Sequence, residues 1–185
     1  MWYNIYKKPE GKNSREERNM YGIGDKVVYG AFGVMDIVDI TEQEIGDEKK
    51  RYYVLKEYAA TSSSLTYVPV DSEAVVAQMH PLLTKDEIHE VIAEAKREPL
   101  LDWIEDNRAR SEFYKRLLST ADRVRLLRMI ETVYRTGLRR ESEGKKNYIA
   151  DENSMHRARK LIATEFSLVL GIPESEVEEY IKGLS

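Results

Sequence analysis

With 185 residues, no cysteine and no apolar run near the length of a membrane-spanning helix, the chain excludes a disulfide scaffold, thiol chemistry and a helical membrane protein. A composition of 42% hydrophobic and 34% charged residues fits one ordinary domain or two small ones with a modest core. No signal peptide is visible, so a cytoplasmic protein is expected. The net charge of −4 conceals a segregation: residues 86–106 hold eight acids against two bases, whereas residues 108–160 hold fifteen Lys/Arg against seven Asp/Glu. Such a basic stretch is either a solvated helical surface or a phosphate-binding face, because phosphate binding follows the local field and not the total charge.

Residues 1–19, "MWYNIYKKPEGKNSREERN", have no sustained periodicity and read as a disordered or weakly ordered leader. A second reading starts translation at Met20. The run Ser14-Arg15-Glu16-Glu17-Arg18-Asn19 can be encoded by a purine-rich sequence like a bacterial ribosome-binding site, which would make the leader a non-native extension. N-terminal sequencing of native protein separates the two, and under either reading Trp2 carries little weight. Residues 20–78 read as β-structure. "KVVYG" and "GVMDIVDI" are strands parted by Gly30 and Gly33, and "EIGDEKK" is a turn with Gly46-Asp47 at its tip. "RYYVLKEY" and "SLTYVPV" are further strands, joined by "AATSSS". Pro69 cannot donate to a ladder and belongs at an edge or a strand end. Four or five short strands in this span predict a small curled sheet or barrel.

Beyond His80-Pro81 the period becomes helical. Residues 79–100 form a connecting helix, with Thr84 as N-cap, Glu87 three residues on, Ile88, Val91, Ile92 and Ala95 on one face, and Pro99 as the stop. Residues 101–185 form a helical domain. Its elements are a helix around "SEFYKRLLS" and a second over "ADRVRLLRMIETVYRTGLRR", with Val124, Leu127, Ile130 and Tyr134 inward. The basic loop "ESEGKKNYIA" follows. The longest helix has Met155, Ala158, Ile162, Phe166 and Val169 on its core stripe and Gly171 as its cap, and a last helix opens at Pro173. The fold class is α+β in two domains, a small N-terminal sheet followed by an all-α unit.

No enzyme is expected. "GIGDKVVYG" lacks the third glycine and the following helix of a phosphate loop, so it is a turn. "HEVIA" at His89 begins like a zinc-protease motif but has Ala93 where the second histidine is required, and His80, His89 and His156 are scattered, so no metal or other cofactor is expected. Glu105 and Asp106 sit in a charged segment without signs of burial, and Ser62, Ser63 and Ser64 have no nucleophile-elbow context. Binding chemistry remains. The strand "LTYVPV" is either a sheet edge that can accept a strand of another protein or an ordinary edge blunted by Pro69. Trp103 is read within a helical segment, where the charge changes sign. It is either a core tryptophan or an exposed aromatic that stacks on unpaired or distorted nucleic acid, with Arg108, Arg110, Lys115 and Arg116 holding phosphates.

The stretches "GIGDKVVYGAFGVMDIVDI", "RYYVLKEY" and "LTYVPVD", followed in order by Trp103, "RLLSTADRVRLLRMIETVYR" and "RARKLIATEFSLVLGIPESEVEEYI", resemble the CarD/CdnL family of bacterial transcription regulators over residues 21–182. The first module is also similar to one in the transcription-repair coupling factor. The resemblance implies a Tudor/SH3-like barrel that binds the RNA polymerase β subunit by strand pairing through Thr66, Tyr67, Val68 and Pro69. It also implies a helical module lying on promoter DNA with little sequence specificity, whose Trp103 wedges into the minor groove at the upstream edge of the melted region. Arg157, Arg159 and Lys160 would extend the basic face. The expected action is stabilisation of the open promoter complex by a monomer. Acidic residues around Trp103 and Tyr67 in the pairing strand depart from the basic residues common in the family. The alternative is a protein–protein adaptor without direct DNA contact.

Overall fold

The computed structural model describes residues 21–46, 48–59 and 64–184. The leader, the Met20 start, Trp2, Asp47, Ser62 and Ser63 lie outside them. Five antiparallel strands form one sheet in the order β4-β3-β2-β1-β5. They are β1 (Lys26–Tyr29), β2 (Val34–Ile45), β3 (Glu48–Glu57), β4 (Leu65–Pro69) and β5 (Met79–Pro81). Strand alternation puts Val27, Met35, Ile37, Tyr53, Leu55, Val68 and Met79 into one apolar cluster, joined by Tyr21 and Val70. A bulge between Ile37 and Asp39 leaves Val38 unpaired and outward, which bends β2 and lets a sheet this small curl around its core. "GIGD" is a turn, in which the Gly22 amide donates to Asp25 Oδ2 at 2.7 Å and the Gly24 amide to the Ile37 carbonyl at 2.8 Å. Two short elements escape the sequence reading. One is α1 (Glu73–Val76); the other is β5, which pairs with β1 and carries the sheet three residues into the segment read as a connecting helix.

Five helices follow: α2 (Lys85–Arg97), α3 (Asn107–Thr120), α4 (Arg123–Ser142), α5 (Ile149–Leu170) and α6 (Glu174–Gly183). Thr84 and Glu87 form a reciprocal capping box at the start of α2. Ile88 and Ile92 of α2 are buried with Tyr114, Leu117, Leu118, Met129, Ile162 and Phe166, so the connecting helix is a member of the helical core. In α5, Ala158, Ile162 and Phe166 are buried as the periodicity predicts, and Gly171 caps it in the left-handed conformation. The stripe of α4 needs correction. Its buried residues are Leu126, Met129, Thr132 and Val133, whereas Leu127 and Ile130 flank the core and Tyr134 is 47% exposed.

Sheet and helices share an interface. Val28 and Val34 bury against Ala121, with Tyr58, Leu82 and Leu168 around them. A Cβ on Gly30 would stand 3.0 Å from the Ser119 carbonyl oxygen, and one on Gly33 would stand 2.9 Å from Leu161 Cδ2. The polar part is a buried ion pair between α4 and α5. Arg123 donates from Nε to Glu165 Oε2 and from Nη2 to Oε1, both at 2.9 Å. Glu165 Oε1 also accepts the Leu83 amide at 3.1 Å, and Arg123 Nη2 reaches the Pro81 carbonyl at 3.4 Å. This pair therefore grips the chain where it leaves β5.

Candidate functional site: a free strand edge and an aromatic–guanidinium stack

Among the described residues β4 pairs only with β3 and forms one edge of the sheet. Its hydrogen-bonding phase follows from the Val70 amide, which donates to the Arg51 carbonyl at 2.9 Å. Counting back through the antiparallel register, Val68 and Thr66 turn their backbone groups to β3, while Leu65, Tyr67 and Pro69 turn theirs to the open side. Pro69 thus lacks its N–H where β3 needs none, and its carbonyl accepts the Ser72 amide at 3.3 Å. The four residues of the matched strand divide accordingly. Tyr67, 47% exposed, presents an outward N–H, C=O and ring beside exposed Leu65. Val68 is completely buried and Thr66 half-buried, so Val68 holds the edge in place and offers no side chain to a partner.

Trp103 does not lie in a helix. It sits half-buried in the connection between α2 and α3. That connection is pinned to α4: the Leu101 amide donates to Thr132 Oγ1 at 3.0 Å, and Arg128 Nε donates to the Pro99 carbonyl at 3.1 Å. The change of charge sign has a local cause, because Asp106 caps α3 by accepting the Ala109 amide at 2.7 Å. Asp102 and Glu105 are exposed.

Arg110, expected to hold a phosphate, is 1% exposed and cannot reach one. Its Nε donates to both oxygens of Asp151 at 3.1 and 3.0 Å, and its Nη2 lies 2.9 Å from Oδ2. Nη1 donates to the Ile104 carbonyl at 2.6 Å, and Nη2 to Asn107 Oδ1 at 2.8 Å. The guanidinium carbon stands 4.2 Å from the Trp103 ring centre and 4.8 Å from that of Tyr148, while Arg140 covers Tyr148 at 4.0 Å. Nearby, burial pushes the Tyr114 phenol up to about 12, with the Asp151 carboxylate adding to the shift.

The remaining basic residues form separate groups. Arg108 and Lys115 share an exposed face of α3 with Glu112 between them, and Arg116 is exposed to one side. On α5, Arg157 and Lys160 are exposed on one face. Lys160 is tied to Glu174 at 2.7 Å, and that hydrogen bond holds the Glu174 carboxyl below the usual carboxylate range. Arg159, half-buried, lines a cavity of about 300 Å³ together with Trp103, Arg140, Tyr148 and Asp151, and also lines the groove that holds Lys160 and Glu174. The structure therefore stacks Arg110 on Trp103, places Arg159 on the lining of the same cavity, and leaves the exposed cations on two separate faces. Tyr148, Arg140 and Asp151 escape the sequence reading, because nothing local in or beside "ESEGKKNYIA" signals partners some forty residues earlier.

Residues 21–81 match the family model of the CarD-like/TRCF RID domain. These residues form the small Tudor-like sheet module, and a helical module follows it. It is also 24% identical over 166 residues to a Bacillus subtilis (strain 168) protein named "Putative transcription factor YdeB", an alignment that takes in 87% of this chain and 99% of that one. Both comparisons support a transcription-related role.

Proposed function

We propose that the chain is a non-enzymatic transcription regulator that docks on the β subunit of RNA polymerase through the open side of β4 and lays its helical module on promoter DNA, stabilising the open complex. The observation that carries this reading is the outward N–H and C=O of Tyr67 on the edge strand of a module that matches the CarD-like/TRCF RID domain. Anchoring on polymerase raises the local concentration of a weak DNA binder at the promoter. Trp103, Arg108, Lys115, Arg116, Arg157, Arg159 and Lys160 then act through phosphates and DNA shape, with little sequence preference. Only tighter binding to open than to closed DNA shifts promoter opening. Stacking by Trp103 worth about 1–3 kcal/mol corresponds to roughly tenfold or more in the lifetime of the open complex.

The test is retention of RNA polymerase by the tagged protein, compared with Tyr67→Glu and Tyr67→Pro; the second removes the outward N–H. Wild-type retention with loss in both variants is expected. Retention unaffected by either refutes docking through β4. Val68→Glu is a poor probe, because a carboxylate there enters the core.

A second reading, a protein–protein adaptor with a solvated basic face, is favoured by two observations: Arg110 is buried, and Lys160 is already paired with Glu174. Added salt separates the two readings, since a face that neutralises several phosphates loses DNA affinity steeply with ionic strength.

A further inference from the structure

We infer that Arg110 is a positioning residue whose guanidinium sets the indole of Trp103 before any nucleic acid arrives; the functional consequence rests on the DNA reading above. Every edge of the guanidinium is engaged. One edge is forked on the Asp151 carboxylate in the first turn of α5. Another takes the carbonyls of Ile104 and Glu105, which immediately follow Trp103, at 2.6 and 3.3 Å. A third takes Asn107 Oδ1 at 2.8 Å, in the first turn of α3. The flat face lies against the rings of Trp103 and Tyr148, whose centres are 6.5 Å apart with planes 28° from parallel. A single buried cation therefore joins the connection bearing Trp103 to both α3 and α5.

Three physical consequences follow. The hydrogen bonds to the Ile104 and Glu105 carbonyls fix the backbone beside Trp103, so its ordering entropy is not charged against DNA binding. The stack sets a cation and the Tyr148 ring against the indole, which stays half-exposed. Lysine cannot replace arginine here, because its ammonium has neither the planar face nor the fork that meets carboxylate and carbonyls together.

The test uses the full chain carrying Trp2→Phe, so that Trp103 is its sole tryptophan. Acrylamide quenching and fluorescence anisotropy decay of Trp103 are measured for this parent, for Arg110→Lys and for Tyr148→Leu, with circular dichroism to confirm the fold. Arg110→Lys is expected to raise the quenching constant about twofold or more and to add a fast depolarising component. Tyr148→Leu removes the second aromatic wall from a half-exposed position without stranding a charge, and is expected to act in the same direction. A folded Arg110→Lys with the parent's quenching and depolarisation overturns the proposal; if that variant does not fold, an unchanged Trp103 signal in Tyr148→Leu does so.

A second arm reads open-complex lifetime. Arg110→Lys should shorten it in the wild type and add nothing in Trp103→Ala, as expected of a residue that acts through another. Full additivity of the two substitutions also overturns the proposal. If Trp103→Ala alone leaves the lifetime unchanged, the DNA reading fails while the fluorescence arm still decides the positioning role.

Discussion

The ion pair at the module interface gives the sharpest test of the packing. Replacing Glu165 by methionine keeps the volume but removes the acceptor of two Arg123 hydrogen bonds and of the Leu83 amide. The two side chains are 11% and 3% exposed, so the stranded guanidinium recovers little water. Breaking a buried pair from one side costs about 3–5 kcal/mol, and the slight exposure of Arg123 puts this case near 3. That is roughly a hundredfold in the folded-to-unfolded ratio. It is also a fall of about 6–12 °C in Tm for a chain of this size. Urea and thermal unfolding followed by circular dichroism measure it. Arg123→Met/Glu165→Met should be more stable than Glu165→Met, because the double variant buries no unpaired charge; the Leu83 amide still lacks its acceptor, so recovery is partial. A loss below about 1 kcal/mol in the single variant, or a double variant no better than the single, refutes the reasoning.

Other outcomes follow from the same structure. Thr84→Ala opens the capping box and should cost about 1 kcal/mol in urea unfolding, with Thr84→Ser close to wild type. Gly33→Ala should cost about 1–3 kcal/mol, since φ is +80° and the new Cβ meets Leu161, and the loss should be visible in the same unfolding curves. Burial, reinforced by the Arg123 charge, holds the His80 imidazole below its ordinary 6.5. The unfolded chain therefore binds the extra proton first. Its contribution is complete above pH 6.5 and is lost as pH falls from there through the lower folded-state value, so the urea midpoint should drop over that window and His80→Gln should flatten the drop.

Much of the fold is legible because its signals are local. The capping box at Thr84, the strands on either side of Gly30 and Gly33, and the Gly171 cap each depend on a few neighbouring residues. The stripe of α4 is not legible in this way. Leu126-Leu127, Met129-Ile130 and Val133-Tyr134 are adjacent apolar pairs at helical spacing, so periodicity supports two stripes one residue apart, and packing against α2 and α5 selects the first. β5 and α1 are too short to carry a pattern. β5 exists because Val27, Val28 and Tyr29 offer it a partner edge. At the candidate site, composition shows a run of cations but not which of them are exposed. Arg110 looks like its neighbours in sequence, and its ion-pair partner in the interior, Asp151, lies forty-one positions away.

The grip of Arg123 and Glu165 on Pro81 and Leu83, together with the Val28–Val34–Ala121 contact, has a meaning beyond stability. A protein braced in this way is a gauge block: the span from the β4 edge to Trp103 is machined into the fold. Under the function proposed above, a fixed reach of this kind would favour promoters whose DNA path and bend bring it to the other end, before any base is read.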